Sequence, residues 1–390
     1  MLTSFALIFL LGLALGTLFS HLKLPSLLGM VITGMILGPS VLNALSPAVI
    51  SISPDLRKAA LVIILTRAGL SLDLRDLKRV GRPAVLMCFL PACFEIAGVM
   101  LLAPRIFGIS ILDAAIIGSV IAAVSPAVIV PRMIRIMEEG YGQAHSIPQL
   151  ILAGASVDDV FVIVLFTAFT ALAQGGRIDA FSFFQIPISI LTGISAGFLA
   201  GFLLIVFFKR FHMRDSVKIL IIISISFLLL ECETRLEGIL PLSGLLAIMS
   251  MGIMLKQKYE KLAVRLSSKY NKLWVAAEVL LFVLVGATVD ISYIARAGIL
   301  SVLLVAGALI MRMAGVFICL LKTSLSPKER LFCMMAYTPK ATVQAAIGGI
   351  PLSMGLSCGH LVLTVAVISI LLTAPFGALC VDHSYKKLLS

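Results

Sequence analysis

The sequence predicts an all-α polytopic membrane protein of about thirteen transmembrane helices, with inverted-topology repeats and two broken crossing helices. Three observations carry this prediction. Hydrophobic residues make up 60% of the 390 and charged residues only 13%, with a mean hydropathy of +1.13; a soluble domain uses about 25% charged residues and could not cover its surface with so few. Apolar runs of about 20 residues, the length that crosses the hydrocarbon core, recur from end to end. Short words of sequence also repeat across the chain in an arrangement that inverts their orientation. A transmembrane barrel would show ten-residue segments of alternating polarity, and none are visible.

Taken in order, the spans fall at residues 2–20, 24–40, 58–73, 84–104, 112–134, 149–173, 184–208, 217–231, 239–255, 273–290, 294–321, 329–353 and 361–380. The first lacks the basic n-region of a signal peptide and reads as a membrane helix. With the N-terminus outside, inner loops and the C-terminal tail hold 22 of the 31 Lys and Arg, and outer loops hold six. The remaining three are Arg67, Arg312 and Lys340, within spans. Basic residues collect on the cytoplasmic side of membrane proteins, so the expected topology is N-out and C-in. The net charge of +12 therefore reports orientation in a bilayer, and no nucleic-acid partner is expected. Cys88, Cys93, Cys232, Cys319, Cys333, Cys358 and Cys380 show no CxxC spacing and read as structural thiols.

Residues 64–73, ILTRAGLSLD, echo residues 281–290, LFVLVGATVD. Residues 125–130, SPAVIV, echo residues 338–343, TPKATV. The offsets are 217 and 213, and an odd number of spans, seven, separates the partners, so the second copy runs through the membrane the other way. Inverted repeats are a signature of secondary transporters, whose site lies near the midplane between the repeats. Pro126 and Pro131 are expected to interrupt one helix, and Pro339 with the Gly348–Pro351 stretch the other. Proline removes an amide donor and disfavours helical geometry in the residue before it. Backbone freed in this way is tolerated at membrane depth only where it meets other protein groups or lines a cavity.

Five ionisable residues sit well inside spans: Glu95, Asp158, Asp159, Arg312 and Lys340. A charge at a helix midpoint costs on the order of 3 kcal/mol on insertion scales, and such residues face a pathway or a partner. Arg67 and Glu278 lie near enough to span ends to snorkel. Asp158 and Asp159 carry the strongest signal. Adjacent helix positions differ by about 100°, so both carboxylates can edge a broad cavity. Carboxylates, hydroxyls and broken-helix carbonyls supply the oxygens that a dehydrated monovalent cation needs, and the same oxygens cannot hold a proton and a metal ion tightly together. Competition for one alternately exposed site suffices for antiport. Glu95 and Arg312 also fit a buried ion pair that holds helices in register. Lys340 follows Pro339 and is placed to offset the negative end of a half-helix.

GASVDDVFVIVLF, AAVSPAVIVP, AGLSLDL and above all YTPKATVQAAIGG resemble the monovalent cation:proton antiporter superfamily, in particular its NHA-type sodium/proton exchanger branch. The resemblance spans roughly residues 10–380, and its VDD and PKATVQAA elements are its specific part. It implies the sodium/proton antiporter fold, with a dimerisation domain and a mobile ion-carrying core. Residues 1–57 would then begin the dimerisation or scaffold domain, and 58–173 the core, with a broken helix near 125–131 and the Asp158–Asp159 helix. Residues 174–272 would return to the scaffold, 273–380 complete the core with a broken helix near 338–351, and 381–390 form a cytoplasmic tail. By motif, Asp159 would be the indispensable ion- and proton-binding carboxylate and Asp158 its partner, together the metal ligands for Na⁺ or Li⁺. Arg312 would serve Asp158 or Glu95, and Lys340 would stand at the second crossover. Ser125 occupies a position where many members carry Asp, and its hydroxyl is a candidate ligand.

The expected function is secondary active exchange of Na⁺ or Li⁺ for H⁺ by a homodimer in a bacterial inner membrane, with no cofactor. A K⁺/H⁺ antiporter and a sodium-coupled organic anion symporter of the same fold are the alternatives, and paired carboxylates argue against an anion beside them. A passive channel would show flux without proton coupling. An intramembrane aspartyl protease is excluded, because its two aspartates must face each other from separate segments.

Overall fold

The computed structural model describes residues 1–71, 81–174, 180–236 and 240–389, which are helical almost throughout. Asp73, which ends the first repeat word, and the loop charges Arg75, Lys78, Arg79 and Arg177 lie outside the described residues. The helices run α1 (Leu2–His21), α2 (Ser26–Leu37), α3 (Pro47–Ser51), α4 (Ser53–Ser71), α5 (Arg82–Met87), α6 (Leu90–Phe107), α7 (Ile111–Ile121), α8 (Pro126–Glu138) and α9 (Ile147–Gln174). They continue as α10 (Ala180–Arg210), α11 (Asp215–Arg235), α12 (Gly244–Lys258), α13 (Glu260–Ala287), α14 (Ile291–Cys319), α15 (Pro327–Ala336), α16 (Thr342–Ile347), α17 (Ile350–Ser353) and α18 (Gly359–Leu388). Among the described residues, eight helical stretches are long and apolar enough to cross a membrane, some made of two consecutive helices such as α7 and α8.

Two boundaries differ most from the sequence reading. α13 begins at Glu260, thirteen residues before the expected span. Its first turns are amphipathic: Leu262, Ala263, Leu266 and Tyr270 are fully buried while Lys261 and Arg265 are exposed, so a segment rich in Lys and Arg is also helical. α18 runs on through the expected tail to Leu388. Asp382 there pairs with Arg132 at 3.1 Å and Arg135 at 2.7 Å, and the Tyr385 hydroxyl donates to Glu139 at 2.6 Å. These contacts tie the last turns of α18 to the end of α8.

The chain divides into two compact units. One comprises Met1–Asp55, Arg75–Val162 and Val279–Ser390; the other comprises Leu56–Leu74 and Ile163–Glu278. Residues 1–55 thus cluster with the aspartate-bearing segment, and 56–74 with the other unit. Glycine explains the first grouping. A Cβ on Gly34 would overlap the Val283 carbonyl, and one on Gly286 the Val31 carbonyl, so α2 and the end of α13 touch backbone to backbone. In the second unit Gly193, Gly197 and Gly201 lie at intervals of four along α10 and face Ser243, Ala247 and Met251 of α12 or its cap. Such small-residue stripes let membrane helices approach closely where dispersion drives association.

Both expected helix breaks are present in the first unit. α7 ends at Ile121, residues 122–125 are non-helical, and α8 restarts with Pro126 in its first turn. Ser125, before that proline, is held in the β region at φ −89°, ψ 110°. α15 ends at Ala336, residues 337–341 are non-helical around Pro339, and Gly348–Gly349 separate the short α16 from α17. Pro131 does not break its helix, and α8 continues through it to Glu138. At that position the ring removes one intrahelical donor, a defect that a helix absorbs as a local bend.

Candidate functional site

The two breaks meet. The Ser125 N–H donates to the Pro339 carbonyl at 2.7 Å, so the non-helical segments bond directly to each other. Behind the second segment, the Lys340 N–H donates to the Thr373 hydroxyl at 2.9 Å, and a Cβ on Gly377 would collide with the Pro339 ring. α18 is therefore shaped to seat this crossover. α9 passes alongside with Asp158 as its twelfth residue, about 17 Å along the helix axis from its start.

Arg312, from α14, organises the crossing. Its guanidinium donates to the Tyr337 carbonyl at 2.7 Å, to Asp158 Oδ2 at 2.7 Å, to Glu95 Oε2 at 3.0 Å and to the Ala122 carbonyl. Ala122 and Tyr337 follow the last residues of α7 and α15, so one cation caps the negative ends of both half-helices. Lys340 Nζ lies 2.7 Å from Oε1 and 2.8 Å from Oε2 of Glu95. The side chains of Glu95, Asp158, Arg312 and Lys340 are all fully buried. Two positive and two negative groups thus form one closed network, which is how charges persist at membrane depth.

Asp158 Oδ2 also accepts from the Val124 N–H at 2.8 Å, while its Oδ1 has no partner among the described residues. Asp159 stands outside the network. It is half-buried, and its Oδ1 is also without a partner among the described residues. The hydroxyls of Ser125 and Thr342 and Gln344 Oε1 are buried and unpartnered among them too. Oxygens left over at such a crossing can take a cation, a proton or water.

A family model described as "Sodium/hydrogen exchanger, transmembrane" matches residues 5–382. The chain belongs to the sodium/hydrogen exchanger family. This exchanger-family chain is 32% identical over 385 residues to mouse sodium/hydrogen exchanger 9B2, covering 94% of the chain and 70% of that protein. It is 31% identical over 387 residues to human sodium/hydrogen exchanger 9B1, covering 94% and 73%. Its fold matches the structure of the sodium proton antiporter MjNhaP1 from Methanocaldococcus jannaschii with a TM-score of 0.85, over 99% of this chain and 98% of that one, at 19% identity.

In this exchanger-family fold, Asp158, Glu95, Arg312 and Lys340 share one network, and Pro126 and Pro339 stand at the breaks. Arg312 serves both Asp158 and Glu95, so the two pairings left open by sequence are both made. Ser125 joins the crossing through its N–H, and Pro131 lies inside α8. Three participants stand within the quoted motifs but were given no role of their own from the sequence. Gln344 Nε2 donates to the Ile121 and Ala123 carbonyls at 3.3 and 2.9 Å. The Tyr337 ring lies under Arg312 with 5.4 Å from Cζ to the ring centroid, and Gly154 makes room for its hydroxyl. Gln344 carried a usable signal, a polar side chain inside an apolar span; Tyr337 and Gly154 carried none.

Proposed function

We propose that the chain exchanges Na⁺ or Li⁺ for H⁺ by alternating access, with cation and proton competing for the Asp158–Asp159 pair. One observation carries the reading. Arg312 and Lys340 balance Glu95 and Asp158, which leaves Asp159, the next residue along α9, as a carboxylate without a basic partner among the described residues. A single uncompensated carboxylate matches a single monovalent cation, or a single proton, and cannot hold both. On this reading Asp159 is the exchanging group. Asp158 presents Oδ1 to the ion while Oδ2 is held by Arg312 and Val124. The basic inner loops support N-out, C-in insertion in a plasma membrane, and the family resemblance supports a homodimer.

The test is cation-induced pH change inside proteoliposomes carrying the purified chain, with Na⁺, Li⁺ and K⁺ in turn and the membrane potential clamped or free. Proton movement that follows an imposed Na⁺ or Li⁺ gradient is expected. Cation flux without proton movement would identify a channel and sink the reading.

A further inference from the structure

We propose that Thr373 on α18 is a positioning residue for the ion site, holding the crossing of the two broken helices in register through one peptide group. The inference rests on the antiport reading and extends it to a side chain outside the charge network. Thr373 is buried, and its hydroxyl is committed on both sides. The O–H donates to the Ser369 carbonyl one turn back at 2.7 Å, which leaves the oxygen lone pairs to accept the Lys340 N–H at 2.9 Å. The carbonyl of that same peptide, on Pro339, accepts the Ser125 N–H at 2.7 Å. The hydrogen bonds therefore run in one direction, from the first crossover through the second to α18, and bonds in such a chain polarise one another. One turn on, Gly377 makes room for the Pro339 ring, so the same face of α18 fixes this peptide by shape as well.

Two routes lead from the peptide to Asp158. Ser125 follows Val124, whose N–H holds Asp158 Oδ2 at 2.8 Å. Lys340 pairs with Glu95, Glu95 with Arg312, and Arg312 with Asp158. A shift of the Pro339–Lys340 peptide thus reaches the carboxylate by backbone and by charge together. Without the Thr373 oxygen the Lys340 N–H is a buried donor with its bond lost, a state that costs enough to move the segment toward another acceptor. Valine copies the shape of threonine and lacks only that oxygen, while serine keeps the oxygen and lacks the methyl group.

The experiment compares wild type, Thr373→Val and Thr373→Ser as full-length purified chains. Two readouts are taken: half-maximal Na⁺ for proton exchange in proteoliposomes, and amide hydrogen exchange in residues 122–125 and 337–341. Thr373→Val is expected to raise the half-maximal Na⁺ about tenfold and to speed hydrogen exchange about tenfold in both segments, as for one orphaned buried donor. Thr373→Ser is expected to stay within about threefold of wild type in both readouts. If the valine chain does not fold, Thr373→Cys, close in size and only a weak acceptor, replaces it. Unchanged half-maximal Na⁺ in the folded valine chain overturns the proposal, however far its melting temperature falls. Faster hydrogen exchange confined to residues 337–341 also overturns it, because the first crossover would then not depend on Thr373. Equal loss in the serine and valine variants overturns it too, placing the effect in the methyl group. A wild type that moves no protons under a Na⁺ gradient would refute the antiport reading instead, and hydrogen exchange in the two segments would still decide whether Thr373 sets the crossing.

Discussion

A guanidinium carries five donors in a rigid plane, and Arg312 spends them on two carboxylates and two half-helix ends. That division makes two side-chain predictions. Removing one partner of a buried pair leaves the other charge uncompensated, at a cost of about 3–5 kcal/mol. Arg312→Ala strands Glu95 against Lys340 alone and leaves Asp158 with the Val124 N–H, so a clear fall in melting temperature is expected. Glu95→Gln should destabilise less, and the double variant less than the sum of the singles. Strict additivity in that double-mutant cycle would show that the two groups do not act on each other. Asp159→Asn bears on function. An amide cannot exchange a proton or match a cation's charge, and Asp159 has no basic partner in the network, so this variant is expected to fold normally and lose exchange. Near-normal cation-driven proton flux in proteoliposomes would remove Asp159 from its proposed role.

Proline and glycine are read at the level of whole elements, and they mark the breaks unevenly. Pro126 and Pro339 announced interruptions because each stands where a helix ends or restarts. Pro131 looked equivalent in sequence, but it lies in a helix that continues on both sides and loses only one donor. The early start of α13 was hidden by a charge density that resembled a loop, although its apolar residues kept helical spacing. The buried charges were legible because apolar spans make every ionisable residue conspicuous. Their partners were not, since Glu95 and Arg312 are 217 residues apart and only the folded crossing joins them. Gly154 was the least legible. Mid-helix alanine is ordinarily better than glycine by about 1 kcal/mol, but a Cβ here would strike the Tyr337 hydroxyl, and Tyr337 also carries Arg312 on its ring and carbonyl. Gly154→Ala is therefore expected to destabilise by about 1–3 kcal/mol through overpacking and to slow exchange. Adding Tyr337→Phe removes the colliding hydroxyl and should recover much of both. With the hydroxyl gone, the alanine methyl would stand 3.0 Å from Met87 Cβ and 3.2 Å from the ring Cζ, both tight but relieved by a small shift. Melting curves that show no recovery in the double variant would break this link between α9 and the second crossover.

For the molecule as a whole, the consequence of a single shared site is a fixed relation between pH and cation affinity. If proton and cation contend for Asp158 and Asp159, each proton bound lowers the share of sites open to the cation. The half-maximal cation concentration must then rise as pH falls, approaching tenfold per unit for each proton displaced. Because Arg312 holds Asp158 and Asp159 has no basic partner among the described residues, a slope near that for one proton is expected. At alkaline pH the half-maximal concentration should level off, since the carboxylates are already free of protons. Turnover should fall there, because the return step lacks its proton. The two limits together give an activity optimum between them. A symporter behaves oppositely, binding its cation more tightly, or indifferently, as protons become available. The measurement is half-maximal Na⁺ across about four pH units, with the same buffer on both sides of the proteoliposome membrane. A value that stays flat or falls toward acid pH would exclude competition at this site, and a slope near that for two protons would mean that Asp158 leaves Arg312 during the cycle and exchanges a proton of its own.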